Sequence, residues 1–136
     1  FQQVVRTAKG TLIAMGAVLL RSTDDGSSWT AIEDFPAVPV PRDNAEGRYL
    51  TVLADGRLLV TWGVGNRNKG LRYNVSADDG RTWNNDSTLV LLPKTNVTAR
   101  YYSARTIRLD DQFVGTVFMN GQGVHFLKIN VNRFGK

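Results

Sequence analysis

The chain has no cysteine and a single histidine among its 136 residues. Without cysteine it cannot form disulfides, thiolate metal sites or a cysteine nucleophile. His125 alternates with apolar neighbours in VHFLKI, and by itself it cannot anchor a common zinc site or a Ser-His-Asp triad. We therefore expect neither a metal nor another cofactor.

Long apolar runs are also absent, since no stretch approaches the roughly 18 residues that a membrane-spanning helix needs. The start, FQQVVRTAKG, has neither an initiator methionine nor a signal pattern, which is typical of a processed or excised chain. Three Asn-x-Ser/Thr sequons, at Asn74, Asn85 and Asn96, favour a secreted or extracellular protein.

Positive charge is present but not concentrated. The net charge of +5 comes from 12 arginines and 5 lysines along the whole chain, whereas nucleic-acid binders usually gather basic residues on one element. We therefore expect no nucleic-acid partner. The excess of arginine hints at recognition of carboxylate or phosphate, because the guanidinium group pairs with both in a bidentate manner.

The hydrophobic pattern predicts an all-β fold, because short apolar runs alternate with turn signals and no stretch has a sustained helical period with caps. YLTVLADGRLLVTWGV (49–64) predicts two strands joined by the tight turn at Asp55-Gly56. RTIRLDDQFVGTVFM (105–119) repeats this plan around Asp110-Asp111. Further strands are predicted in TLIAMGAVLLRS (11–22), around Gly16, and in GVHFLKINV (123–131). Loops are predicted over 36–47, 65–70 and 93–99.

Three units of the chain repeat one pattern. AKGTLIA at Ala8, ADGRLLV at Ala54 and DDQFVGT at Asp110 occupy the same place in units 1–38, 47–93 and 100–136 of one domain, 1–136. A period of about 45 residues with about four short strands is typical of β-propeller blades. Propellers close with about four to eight blades, so three units leave two blade faces without a neighbour. We expect a six-bladed ring, with the chain as a segment of a longer propeller or as half of a homodimer; three units that do not close are the remaining alternative.

The first two units carry one further motif, S-x-D-D-G-x-[ST]-W, in STDDGSSW (22–29) and SADDGRTW (76–83). We call these segments the first and second DDG turns. The first aspartate and the hydroxyl side chains can bond backbone N–H groups across a tight turn, the glycine supplies a positive φ and the tryptophan packs beneath. Two copies at equivalent places indicate a structural role rather than a catalytic one. The residues concerned are Ser22, Asp24, Gly26, Trp29, Ser76, Asp78, Gly80 and Trp83.

Both DDG turns match the Asp-box, or bacterial neuraminidase repeat, and the chain resembles the sialidase (neuraminidase) superfamily. The resemblance extends to GTLIA before the first box, to DGRLLVTW and GLRYNVSADDGRTW in the middle, and to YYSARTIRLDDQFVGTVF and VHFLKINV at the end. It therefore covers most of the chain. It implies a six-bladed propeller and a glycoside hydrolase that acts on the terminal acidic sugars of glycans.

The resemblance also implies site residues. Sialidases hold the carboxylate of sialic acid with three arginines and use an acid/base Asp and a Tyr nucleophile, which a Glu activates. It places the nucleophile at Tyr102, in RYYSARTIRLDD, and the activating carboxylate at Glu46. Arg48, Arg67 and Arg100 are the nearest candidates for the clamp on the substrate carboxylate.

Several family features are missing from this chain. One clamp arginine would fall before Phe1, and the loop that carries the acid/base Asp is reduced to MGAVLL. Gly63 stands where another clamp arginine is usual, and Met119 stands where a Glu orients one. These departures support an alternative function, a non-catalytic Asp-box propeller that binds glycan or protein or serves as a scaffold.

The candidate residues also have simpler interpretations. One residue of the Tyr101-Tyr102 pair is expected to pack in a strand, and Glu46 beside Arg48 can form an exposed ion pair. Trp62, at a predicted strand end, can stack on a sugar or pack between sheets.

Overall fold

The fold is all-β, as the sequence predicts. The computed structural model describes residues 3–16, 18–33, 35, 48–64, 70–84, 88–89, 102–120 and 123–135. Within these residues the chain forms three antiparallel sheets that follow one another along the sequence, each with its strands in meander order. Sheet A contains β1 (Gln3–Arg6), β2 (Leu12–Met15), β3 (Leu19–Ser22) and β4 (Thr30–Ala31). Sheet B contains β5 (Tyr49–Val52), β6 (Leu58–Val64), β7 (Gly70–Ser76) and β8 (Thr88–Leu89). Sheet C contains β9 (Tyr102–Arg108), β10 (Phe113–Asn120) and β11 (Gly123–Asn130), and a 3₁₀ helix (Val131–Phe134) follows it.

The first two strands of each sheet are joined by the same kind of turn. The closing hydrogen bond runs from the N–H of one residue to the carbonyl oxygen four residues later, from Thr7 to Thr11 at 2.8 Å and from Leu53 to Arg57 at 2.9 Å. The equivalent bond in sheet C runs from Leu109 to Phe113 at 3.0 Å. These bonds show that the three units are equivalent residue by residue at this turn.

Glycine makes two of these turns possible and a carboxylate stabilises the third. Gly10 and Gly56 both have a φ of 86°, a conformation that other residues rarely adopt. The third turn has no glycine; there Asp110 Oδ1 accepts hydrogen bonds at 2.8 Å from the backbone N–H groups of Gln112 and Phe113. The Asp55-Gly56 turn was correctly predicted from the sequence.

Sheet B lies between sheets A and C, and β6 is the most buried strand. Leu58 and Val60 pack toward sheet A, whereas Leu59 packs toward sheet C, because successive side chains of a strand point to opposite faces. We call the face that sheet A turns toward sheet B, and sheet B toward sheet C, the front face. The front face of sheet C is the one turned away from sheet B. The opposite face of each sheet is its back face. The core between A and B contains Ile13, Met15, Leu19, Phe35, Leu50, Leu58, Val60 and Trp83. The core between B and C contains Leu53, Leu59, Val75, Val114, Phe118, Ile129, Val131 and Phe134.

A chain of buried hydroxyl groups crosses from sheet B to sheet C. Thr106 Oγ1 lies 2.7 Å from Thr61 Oγ1 and 2.8 Å from Thr116 Oγ1, and all three residues are fully buried. Thr51 Oγ1 donates to the carbonyl oxygen of Thr106 at 2.7 Å. The hydroxyl groups satisfy one another, as buried polar groups must, and they link the two sheets through directional bonds.

Both outermost sides of the stack carry exposed apolar side chains. The back face of sheet A and its loops expose Val4, Val18 and Trp29. The front face of sheet C exposes a larger set of side chains: Ile107, Leu109, Val117, Val124 and Phe126. A contiguous apolar surface of this kind is uncommon on a free protein surface and is typical of an interface.

Candidate functional site

The first DDG turn is closed by its own side chains. Ser22 Oγ accepts a hydrogen bond from the Gly26 N–H at 2.9 Å and donates to Asp24 Oδ1 at 2.8 Å. Asp24 also accepts from the N–H of Ser28 at 2.8 Å and from its hydroxyl at 2.5 Å. The bonds from Ser28, followed by the one from Ser22, lower the pKa of Asp24 to about 2. Trp29 Nε1 donates to the carbonyl oxygen of Gly26 at 3.1 Å.

The second DDG turn repeats every one of these contacts. Ser76 Oγ accepts from the Gly80 N–H at 2.9 Å and donates to Asp78 at 2.9 Å, while Thr82 donates to Asp78 from its N–H at 2.9 Å and from its hydroxyl at 2.6 Å. Trp83 Nε1 donates to the carbonyl oxygen of Gly80 at 3.2 Å. Burial raises the pKa of Asp78, but the bonds from Thr82 and Ser76 outweigh it and the pKa is lowered. The first carboxylate of each turn, that of Asp24 or Asp78, is therefore bonded within the turn itself.

The two turns differ in what surrounds them. Trp83 is 6% exposed and meets the Phe35 ring edge to face, with ring centroids 5.1 Å apart, whereas Trp29 is 38% exposed. The second aspartate of each turn has a positive φ, 60° at Asp25 and 64° at Asp79. Asp79 is buried against sheet A, but Asp25 is exposed. The sequence gives the two turns one pattern, and only the neighbouring sheet makes them different.

The structure describes few of the residues predicted for sialidase chemistry. Glu46, Arg67 and Arg100 lie outside the described residues. Tyr102 begins β9, where its backbone pairs with that of Met119 on β10, and its side chain is not among those described. Arg48 is the one predicted residue whose side chain is described.

Arg48 lies at one end of sheet B and contacts two aromatic rings. Its guanidinium carbon is 5.4 Å from the ring centroid of Phe35 and 5.9 Å from that of Trp62. Its Nε is buried and has no hydrogen-bond partner among the described residues. Burial lowers the pKa of Arg48, although an arginine remains charged at any physiological pH.

Arg72 extends this cluster across the sheet. It is paired with Trp62 in the register of β6 and β7, and directly opposed residues of neighbouring strands point to the same face. Its Nε is also buried, without a hydrogen-bond partner in the part of the chain that the structure describes. Arg48, Trp62 and Arg72 therefore form a row across the end of sheet B, which we call the arginine row.

The positive charges of the arginine row are not matched by carboxylates among the described residues. The ion pairs among the described residues join Arg6 to Asp25, Arg21 to Asp79 and Arg57 to Asp55, so neither arginine of the row is paired with a described carboxylate. Two partly desolvated guanidinium groups without a described counter-ion favour the binding of an anion, and a carboxylate matches their planar fork. Trp62 lies between them, half-buried against the core between sheets A and B and with Arg48 over its ring.

Sequence reasoning missed Arg72, although the repeat contains the information needed to find it. In sheet A, Leu12 pairs with Ser22, the first residue of the first DDG turn, and in sheet B, Leu58 pairs with Ser76, the first residue of the second. Trp62 lies four residues after Leu58 in β6, and Arg72 lies four residues before Ser76 in β7. Because the strands are antiparallel, the same register places these two residues opposite each other.

Asn74, the first residue of a predicted glycosylation sequon, is buried in the fold. Its side chain is 3% exposed and its amide donates to the backbone carbonyl oxygen of Asn84. The folded chain therefore buries this sequon, whereas Asn85 and Asn96 lie outside the described residues.

Among the described residues no group of three or more His, Cys, Asp or Glu side chains is placed to hold a metal ion. In the same part of the chain, no helix has the length and hydrophobicity needed to cross a membrane.

Comparison with known proteins shows a likeness of fold. No family profile matches the sequence, and neither does any curated protein. A protein of unknown function from Dyadobacter fermentans matches with a TM-score of 0.51 and 19% identity over 92% of this chain. A variant of the NanB sialidase from Streptococcus pneumoniae matches with a TM-score of 0.50 and 13% identity over 96% of this chain. The chain spans 35% and 30% of the length of these two structures.

Proposed function

We propose that this chain is part of a sialidase-like β-propeller and that the arginine row binds the carboxylate of an acidic sugar in a glycan. The observation that carries the proposal is that Arg48 and Arg72, on either side of Trp62, have no ion-pair partner among the described residues and no described hydrogen-bond partner at Nε. The match to a sialidase structure supports the propeller. The two repeated DDG turns, which we interpret as Asp-boxes, support it as well.

The chemistry of the row suits an acidic sugar better than a neutral one. A carboxylate can accept two parallel hydrogen bonds from one guanidinium group, and such charge-assisted bonds are about twice as strong as neutral ones. The apolar face of a sugar ring can pack on an indole, as Trp62 provides here. A protein that binds such glycans is expected to act outside the cell, so we also propose a secreted or extracellular location.

Hydrolysis of the terminal sugar is the second candidate function, and the likeness of fold to a sialidase favours it. In this proposal Tyr102 is the nucleophile, Glu46 is its base, and Arg67 and Arg100 complete the clamp with Arg48. The carboxylate would be held in the same way in both functions. Binding is therefore the common step, and turnover separates them.

The binding proposal is tested with free N-acetylneuraminic acid, followed by tryptophan fluorescence and calorimetry, with galactose as the neutral sugar. We expect the acid to bind and galactose not to bind. Arg48→Lys keeps the charge but loses the fork, so affinity should fall about tenfold, and Arg72→Ala should have a similar effect. Arg133→Ala, an exposed arginine on the 3₁₀ helix, is the matched control and should leave affinity unchanged.

A fluorogenic sialoside tests the second candidate on the same samples. Turnover that is lost in Tyr102→Phe while binding is kept would support hydrolysis. Binding without turnover would leave a glycan-binding propeller. Equal binding of the acid and galactose, or no binding of either, would refute the role of the arginine row.

The exposed outer faces of sheets A and C also concern function, because a propeller needs further sheets to close. We propose that these faces are covered by further β-sheets, which a longer chain or a second copy of this chain would supply.

A further inference from the structure

One kind of contact between successive sheets occurs twice. The connection after the third strand of sheet B, the second DDG turn, docks on sheet A: Asp79 Oδ2 accepts a hydrogen bond from Arg21 Nη2 at 3.0 Å and one from Thr11 Oγ1 at 2.5 Å. The connection after the third strand of sheet C, the 3₁₀ helix, docks on sheet B in the same direction. There Arg57 donates to the carbonyl oxygen of Val131 at 3.3 Å and to that of Gly135. Sheets A and B thus each receive the connection that follows the third strand of the next sheet.

The front face of sheet C is the equivalent of the faces on which these connections dock, but it has no described neighbour. Its exposed front-face side chains include Val124, at 70% exposure, and Phe126, at 57%. The Phe126 ring lies over Gly115, so close that a Cβ there would be 2.7 Å from it. Gly115 takes the place of Ile13 of sheet A, against which Gly80 of the second DDG turn packs. An incoming glycine would therefore meet the Phe126 ring in place of an isoleucine.

The register identifies the charged group of this surface. In sheet A, Arg21 is the partner of Ile13 across β2 and β3, and in sheet C, Lys128 is the partner of Gly115 across β10 and β11. Lys128 therefore stands where Arg21 stands in sheet A. It is exposed, and its Nζ lies 4.1 Å from the ring centroid of Phe113.

Sheet A carries a turn that matches this surface. Asp25, the equivalent of Asp79, has a side chain that is 74% exposed, and its ion-pair partner among the described residues is Arg6, itself 57% exposed. Trp29, the equivalent of the buried Trp83, is 38% exposed. The first DDG turn thus has the conformation of the docked second turn, but no described sheet lies beneath it.

We propose that the front face of sheet C binds the back face of sheet A of a second copy of this chain, with Lys128 as the counter-ion of Asp25. The contact repeats the internal contact between sheets A and B, with a lysine in place of the arginine. It buries apolar surface on both sides, and opposite charges fix its register. Two such contacts, related by a two-fold axis, would join two copies into a closed ring of six sheets. The proposal extends the propeller proposed above and does not depend on sugar binding.

Light scattering over a range of protein concentrations tests this interface. We expect a mass twice that of the monomer for the wild type and the monomer mass for Phe126→Arg, which places a charge in the apolar face at an exposed position. Lys128→Glu should also weaken the dimer, and Lys128→Glu combined with Asp25→Lys should restore it. Arg133→Glu makes the same change of charge on the 3₁₀ helix and should remain dimeric.

The outcomes separate this inference from the proposed function. A wild-type chain that stays monomeric overturns the interface, even if it binds the acidic sugar. A dimer that Phe126→Arg and Lys128→Glu both leave unchanged also overturns it, because the contact then lies elsewhere. Far-UV circular dichroism shows whether each variant is folded, and a folded monomeric Phe126→Arg supports the proposal. Loss of sugar binding in Arg48→Lys with an intact dimer bears on the arginine row alone.

Discussion

Asp79 of sheet B accepts a hydrogen bond at 3.0 Å from Arg21 of sheet A, and both side chains are largely removed from water. Its sequence equivalent, Asp25, has the same left-handed backbone conformation but forms an exposed ion pair with Arg6. One motif therefore provides a closed turn in both sheets and an inter-sheet anchor in only one. This contrast allows the energy of the anchor to be measured against a matched turn.

We expect Asp79→Asn to lower the free energy of unfolding by about 2 kcal/mol, because it leaves the guanidinium group of Arg21 buried without its counter-ion. Asparagine tolerates the positive φ, so the turn itself should be kept. The measurement is urea unfolding, made in the Phe126→Arg background so that association of two copies does not contribute.

Asp25→Asn in the same background is the control, and it should change the free energy of unfolding by less than about 0.5 kcal/mol because the ion pair is exposed. Equal effects of the two substitutions would contradict the assignment of Asp79 as an inter-sheet anchor.

The buried threonines between sheets B and C give a second prediction. Thr106→Val removes the central hydroxyl and leaves those of Thr61 and Thr116 buried with one partner fewer, so we expect a loss of about 1–3 kcal/mol in urea unfolding. Replacing all three threonines by valine removes the unsatisfied groups as well, and the triple variant should return to within about 1 kcal/mol of the wild type. A triple variant that loses three times the single effect would show that the hydroxyl groups act independently. Thr30→Val, at an exposed position of β4, controls for the substitution itself.

Acid should destabilise the chain through the aspartates of the DDG turns. The folded pKa values of Asp24, Asp78 and Asp79 all lie below the ordinary value of 3.8. A carboxyl with a depressed folded pKa stabilises the fold above its unfolded pKa, and this contribution is lost as the pH falls through the folded pKa. We therefore expect the free energy of unfolding to fall between about pH 4 and pH 2, the lower limit being the pKa of about 2 for Asp24.

Asp24 allows a direct test of the cause of this shift. The bonds from Ser28 make the largest contribution, so Ser28→Ala should raise the pKa of Asp24 from about 2 toward 3.8, as measured by NMR titration of its carboxyl carbon. Ser27→Ala, next to it in the same turn, should leave this pKa unchanged. An unchanged pKa in Ser28→Ala would show that another group holds the charge.

Local features of the fold follow from the sequence, and features that depend on a neighbouring sheet do not. The strands on both sides of Asp55-Gly56 are predicted, because alternation and a tight turn are properties of adjacent residues. Trp29 and Trp83 stand in the same motif, yet only the second is buried, because sheet A lies beneath it. The segment RTIRL does not indicate that Thr106 is buried and hydrogen-bonded, since its partners belong to other strands.

The candidate site shows the same division. Arg48 was found through a resemblance to a family, and Arg72 was missed because its position follows from strand register. The DDG turn fixes that register in both sheets, so the repeat supplies long-range information that single motifs lack. No pattern in the chain indicates that both guanidinium groups lack a described partner at Nε, since this depends on all side chains packed around them.

Arg57 gives the last prediction, because it holds the 3₁₀ helix against sheet B. It is 8% exposed, its Nε pairs with Asp55 at 2.7 Å, and its two terminal nitrogens donate to the carbonyl oxygens of Val131 and Gly135. Arg57→Lys keeps the charge but offers a single point donor, which cannot reach all three acceptors. We expect the backbone amides of 131–135 to exchange with solvent about tenfold faster, a local cost of about 1.4 kcal/mol, while those of sheet A keep their rates.

Hydrogen exchange followed by mass spectrometry makes this measurement, and Arg133→Lys provides the same substitution on the exposed side of the helix. Faster exchange in both variants would show that the helix responds to the replacement of either arginine by lysine, and not specifically to the lost bonds of Arg57. Faster exchange throughout sheets B and C in Arg57→Lys would instead show that the 3₁₀ helix unfolds together with the core formed by Phe134 and Leu59. An effect confined to 131–135 means that the connection can detach from sheet B while the core stays folded. The 3₁₀ helix would then correspond to the second DDG turn, as a connection that docks on the preceding sheet without being part of the core.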